Sequence, residues 1–223
     1  MKPILLIDPN DNNPKELIKE IGKLDIQYTN LWFGCSTTPG KELGNTVKKL
    51  EKKFTLFPGR IDQIEEIYGE AESIIISHPF PFSNISKGLA SKVYRILEKN
   101  ESIKNKVRNM LYILLSTNCS ASKVLEIKEI PSNEEIFQFI EINPDIDDIY
   151  IEGGSRNRNL DFDKVLSLLE ELKRKYPQRN LIYGGGIKDL GLAKEIAMIV
   201  DNIIFSNIIH KNPNIIREVM SII

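Results

Sequence analysis

The chain has 223 residues, 41% of them hydrophobic and 27% charged, which is enough apolar material to bury a core while remaining soluble. A formal net charge of −1 supplies no basic field, which argues against nucleic acid as the main partner. The two cysteines, Cys35 and Cys119, form no C-x-x-C pair and point to a reducing compartment, and the short apolar start MKPILLIDPN makes no signal peptide. No run approaches the roughly 18–20 apolar residues of a membrane span, so a cytoplasmic protein is expected, with peripheral membrane contact left open.

Short β-branched apolar runs alternate with amphipathic segments along the whole chain. The first strand is read at Ile4–Ile7, and a helix follows in which Pro14 occupies the first turn and Leu17, Ile18 and Ile21 share a face. The second strand is Tyr28–Phe33, with Trp32 as a core residue, and Val47 and Leu50 mark the next helix. Phe54–Phe57 precedes a helix carrying Ile64 and Ile67. Ser73–Ile76 leads into His78-Pro79-Phe80-Pro81-Phe82, an aromatic run suited to core packing or to an apolar pocket. Lys104 to Arg108 reads as a solvated face before the fifth strand, Leu111–Leu115. Ser132-Asn133-Glu134-Glu135 has the form of a helix start, with cap candidates followed by acidic first-turn residues. After Ile149–Glu152 comes the clearest helix, Asp163–Tyr176, where Val165, Leu168, Leu169 and Leu172 keep helical spacing and Pro177 closes the pattern. Leu181–Tyr183, a helix from near Asp189 and Asn202–Phe205 complete the series.

These runs are near-continuous rather than alternating, as parallel strands covered on both faces require. Eight βα units predict an α/β fold, a (β/α)8 TIM barrel occupying 1–223 as a single domain. The open alternative would place G-x-G-x-x-G after the first strand, where Asp8-Pro9-Asn10-Asp11 stands instead. In a barrel the loops after strands 7 and 8 are the usual phosphate site, and the glycines fall there.

Gly184, Gly185 and Gly186 follow the seventh strand, where backbone N–H groups can approach an anion without side-chain obstruction. The helix beginning near Asp189 would add its positive end, and Ser206-Asn207 would complete a phosphate cup from the eighth strand. A tight turn is the competing explanation for each. Tyr150 and Glu152 share a side of the sixth strand, before Gly153, Gly154 and Ser155, so a phenol and a carboxylate face a barrel mouth together. Such a carboxylate could take a proton from a hydroxyl, or it could form a structural ion pair. Asp8, with Ser36 and Thr37, offers oxygen ligands on adjacent strand ends that suit Mg2+ beside a diphosphate. His78 and His210, the only histidines, lack metal-ligand spacing and read as structural or solvent-facing.

Taken in order, Leu6-Ile7-Asp8-Pro9, Gly34-Cys35-Ser36-Thr37, Leu56-Phe57-Pro58-Gly59, Tyr150-Ile151-Glu152-Gly153-Gly154-Ser155, Gly184-Gly185-Gly186-Ile187 and Ser206-Asn207-Ile208-Ile209 resemble the geranylgeranylglyceryl phosphate synthase family, which includes bacterial heptaprenylglyceryl phosphate synthases. The resemblance implies Mg2+-dependent transfer of a prenyl group from a prenyl diphosphate to the hydroxyl of sn-glycerol 1-phosphate. It implies Asp8 and Ser36 at Mg2+ and the diphosphate, and Tyr150, Glu152, Gly154 and Ser155 at the glycerol. It places the glycine triplet and Ser206-Asn207 at the phosphate, and family members often assemble as oligomers. This chain departs from the family pattern at Asn10-Asp11, where Asp-Lys is usual, at Cys35 and at Ser206. It also lacks glycines at 115–119 and carries the Phe-Pro run after the fourth strand. A related acceptor such as phosphoglycerate, another phosphate-binding barrel enzyme, and a ligand-binding barrel without turnover remain alternatives.

Overall fold

Strand residues alternate between two apolar environments, and that alternation builds the molecule. In the computed structural model, which describes residues 2–9, 14–34, 38–83, 94–96, 98–99, 104–154 and 160–222, eight parallel strands close into a barrel. They are β1 (Lys2–Ile7), β2 (Leu31–Phe33), β3 (Thr55–Leu56), β4 (Ser73–Phe80), β5 (Val107–Leu114), β6 (Asp148–Glu152), β7 (Asn180–Gly184) and β8 (Asn202–Phe205). Each pairs with its sequence neighbour, and β8 returns to β1 through Asn202 opposite Lys2 and Phe205 opposite Leu5.

One side of each strand faces the helices. Leu5, Ile7, Leu111, Ile113, Ile149, Ile151, Leu181 and Tyr183 belong to this outer core. The other side fills the barrel itself, with Ile4, Trp32, Ile75, Met110, Tyr112, Tyr150, Ile182 and Ile204 packed together. The interior is therefore a packed core and not a pore. Cys119, Leu125 and Ile127, from the segment around α4 (after the described helices α1 Pro14–Gly22, α2 Gly40–Leu50 and α3 Ile61–Ile67, α4 is Ser120–Val124), join this inner cluster.

Among the described residues the remaining α-helices are α5 (Asn133–Glu141), α6 (Phe162–Lys175), α7 (Leu190–Ala197), α8 (Asn207–Lys211) and α9 (Ile216–Met220). Helix α6 starts where the Asp161 carboxylate accepts the Lys164 N–H, and it buries Val165, Leu168, Leu169 and Leu172 in one stripe. Each such leucine contributes roughly 1.5–3 kcal/mol by leaving water. Ser132 and Glu135 close a reciprocal capping box on α5, as the sequence predicts. None of the described helices is long and apolar enough to cross a membrane.

Three local expectations change. Tyr28–Asn30 is a 3-10 turn rather than strand, because the Asn30 side chain donates 2.7 Å across to the Pro3 carbonyl while the Trp32 indole donates to Thr29. Strand β4 runs on through His78–Phe80, and Phe80 stacks on Phe139 of α5 at 4.5 Å, so that ring joins the outer core. Strand β5 starts earlier than expected, at Val107, and Arg108, still exposed, reaches Asp148 on β6 at 2.6 Å.

Candidate active site

Strand parity in β6 sends Asp148, Tyr150 and Glu152 inward, with Glu152 at the C-terminal end of the strand. The Tyr150 hydroxyl donates to one Glu152 oxygen at 2.5 Å, and the Gly154 backbone N–H donates to the other at 2.8 Å. The carboxyl group is buried, at 9% exposure. Desolvation dominates and raises its pKa from 4.5 to about 7, while the two donors pull the other way and recover part of that shift. A carboxyl group poised near neutrality can accept a proton and release it again. The Tyr150 phenol is driven upward by burial and by the neighbouring Glu152 charge, so it stays protonated and acts as a donor.

The glycines around this pair have a steric cause that the sequence does not reveal. A Cβ on Gly184 would lie 2.5 Å from the Tyr150 hydroxyl, and one on Gly185 would lie 2.0 Å from a Glu152 oxygen. Gly185 also takes φ +78°, a left-handed conformation that side chains disfavour. Two members of the triplet thus make room for the Tyr150–Glu152 pair. A Cβ on Gly186, at φ +71°, would make ordinary contacts of 3.5–3.6 Å with the Leu160 and Phe162 side chains and the Gly154 carbonyl, so its backbone conformation and not crowding requires glycine. The Asp189 carboxylate accepts the Leu192 N–H at 2.9 Å and caps the start of α7, directly after the glycine triplet.

The cyclic order sets β6, β7, β8 and β1 side by side. Glu152, the glycine triplet, Ser206-Asn207 and Asp8 accordingly end four consecutive strands. The Ser206 carbonyl accepts the Ile209 and His210 N–H groups, which turns the chain directly into α8 after β8. Asp8 takes a 2.9 Å hydrogen bond from Thr38, and its backbone N–H donates to His210 Nε2 at 3.1 Å. His210 is fully buried and braces the Asp8 backbone, as a structural histidine would. His78 lies on β4, 3.1 Å from Asn109, away from these strand ends. Ser36, Thr37 and Ser155 lie outside the described residues.

Four residues at or behind the site are given no role by the sequence reading. Tyr112 sits opposite Tyr150 in register with ring centroids 5.1 Å apart, and Phe57 closes edge-on against both tyrosines. Tyr183 points outward from β7, and its hydroxyl, buried beside Gly153, has no hydrogen-bond partner among the described residues. Thr38 holds Asp8. Strand parity was the available signal for Tyr112, and Phe57 falls within the Leu56-Phe57-Pro58-Gly59 stretch of the family resemblance, whereas nothing local marks Thr38 or Tyr183.

For a metal, Asp8 offers a hard oxygen at the mouth. Among the described residues no three His, Cys, Asp or Glu side chains gather in one place. A single carboxylate oxygen of this kind fits Mg2+, which keeps waters and takes phosphate oxygens beside one or two carboxylates.

Comparison with known proteins agrees with this architecture. (S)-3-O-geranylgeranylglyceryl phosphate synthase from Thermoplasma acidophilum, solved with its substrate sn-glycerol-1-phosphate, superposes with a TM-score of 0.78 at 16% identity over 99% of this chain and 91% of that one. The wild-type synthase from Thermoplasma volcanium gives 0.77 at 22% identity over 99% and 90%. At these identities the likeness establishes the shared barrel fold. No curated protein matches the sequence significantly. The PcrB family model matches residues 1–223, from the first strand to the last helix, and the chain therefore belongs to the PcrB family.

Proposed function

We propose that this PcrB-family prenyltransferase joins a prenyl diphosphate to the hydroxyl of sn-glycerol 1-phosphate, with Glu152 as the base. The observation that carries the reading is the buried Glu152, held by Tyr150 and Gly154 and poised at about pH 7 beside the glycine loop. The substrate complex of the T. acidophilum synthase supports the choice of acceptor.

Glu152 takes the proton of the acceptor hydroxyl as its oxygen bonds to the allylic carbon and the carbon–diphosphate bond breaks. Tyr150 keeps the carboxylate in one rotamer by donating to it, which holds the base in place until it takes the proton. Gly186 and Ser206-Asn207 hold the acceptor phosphate from the adjacent strand ends, fixing the hydroxyl in line with the allylic carbon. Asp8, braced by Thr38 and His210, together with Ser36, would hold Mg2+, which when bound neutralises charge on the leaving diphosphate.

The test is incubation with radiolabelled prenyl diphosphates of several lengths, sn-glycerol 1-phosphate and Mg2+, with chromatography of the lipid extract. A labelled ether that survives mild alkali, and that disappears with EDTA, is expected. Absence of any ether across chain lengths overturns the reading; ether formed only with phosphoglycerate reassigns the acceptor.

A further inference from the structure

The opposite, N-terminal mouth of the barrel is unusually polar for a barrel layer, which branched apolar side chains ordinarily fill. A cavity of about 340 Å³ opens there, floored by Ile4, Trp32 and Ile182 and walled by the first residues of several strands. Lys2, Asn180 and Asn202 begin β1, β7 and β8, and Arg108 stands beside them on β5.

The hydrogen bonds of this wall leave donors in surplus. Asp148 spends both oxygens, one on Arg108 at 2.6 Å and one on the Asn180 amide at 2.7 Å. The Asn180 oxygen is spent on the Asn202 amide at 2.6 Å. Asp201, the other carboxylate at the cavity, is neutralised by Lys173 through both oxygens and also accepts the Leu181 N–H. What remains facing the cavity is mostly donor: the other N–H groups of Arg108, the second amide hydrogens of Asn180 and Asn202, and Lys2. The Lys2 backbone is pinned by its N–H to the Asp201 carbonyl at 2.9 Å, and among the described residues no carboxylate pairs with its ammonium. A rim with paired carboxylates, one uncompensated cation and unspent N–H donors is matched by an oxyanion.

We propose that the N-terminal mouth is a second binding site, for a small oxyanion of the phosphate class, held by Lys2 and Arg108. It is independent of the prenyl-transfer reading, because it lies at the other end of the barrel from Glu152.

Trp32 is the only tryptophan in the chain and forms part of the cavity floor, so its fluorescence reports the site. Its ring also touches Phe57 at 5.6 Å, so variants at each mouth are needed to locate the response. Inorganic diphosphate and orthophosphate are titrated at constant ionic strength into the wild type, Lys2→Ala, Lys2→Glu and Gly186→Ala. Lys2 is exposed, so its variants should melt with the wild type. A saturable change in the wild type, weakened at least about fivefold by Lys2→Ala, absent in Lys2→Glu and retained in Gly186→Ala, is the expected pattern. Every other pattern overturns the proposal, including no saturation below about 10 mM, identical titrations for wild type and Lys2→Ala, and a response lost in Gly186→Ala.

Discussion

Glu152 is asked to be buried and to ionise, and these demands oppose each other. In the unfolded chain it loses its proton near 4.5, and in the fold only at about 7. Between those values the folded state binds the proton that the unfolded state has released. The stability it contributes is thus fully present below pH 4.5 and is lost as pH rises through 7. The difference is about 3 kcal/mol. Glu152→Gln, which never ionises, is expected to match the wild type in urea denaturation near pH 4 and to exceed it by up to about 3 kcal/mol at pH 8. Its prenyl-ether activity should fall at least about 100-fold, so stability and activity move in opposite directions. Gly185→Ala places a methyl group on the Glu152 carboxylate in a left-handed backbone position that alone costs roughly 1–2 kcal/mol. A lowered melting temperature with loss of kcat/KM is expected, and a fully active variant would separate Gly185 from the site. Tyr183→Phe removes a buried hydroxyl that has no partner among the described residues. It should be neutral or stabilising by about 1 kcal/mol in the same denaturation assay, with activity unchanged.

At the scale of elements, what the sequence reveals follows the range of the interactions. Helix α6 is legible because its cap, its stripe and its terminating proline are all local. The start of α5 is legible for the same reason, since Ser132 and Glu135 bond each other within one turn. Ser132→Ala should cost about 1 kcal/mol in thermal or urea unfolding and leave turnover unchanged, because α5 supplies no group to the four strand ends. The misjudged stretches are those fixed by distant partners. Asn30 is pulled out of strand geometry by the Pro3 carbonyl, 27 positions away. Arg108 is drawn into β5 by Asp148, 40 positions away, and neither partner is visible in a local window.

For the whole molecule, eight repeated units prescribe closure, and closure brings the ends of β6, β7, β8 and β1 together. The positions of Tyr150, Glu152, the glycine triplet and Asp8 were legible from that topology alone. The cause of the triplet was not, because the Tyr150 hydroxyl and the Glu152 carboxylate that exclude side chains at Gly184 and Gly185 lie on another strand. The polar N-terminal mouth also emerges only when the strands are side by side. The two mouths divide the barrel between them, one poised for proton transfer and the other rich in donors. If Glu152 removes the proton during prenyl transfer, the pH dependence of kcat/KM for prenyl-ether formation must follow its ionisation, and it is measured in wild type and Glu152→Gln. The wild-type rate is expected to climb to a plateau with a midpoint near pH 7, and the variant to stay low and flat across that range. A wild-type profile without that rise, or a Glu152→Gln profile that reproduces it, would remove Glu152 from the role of base.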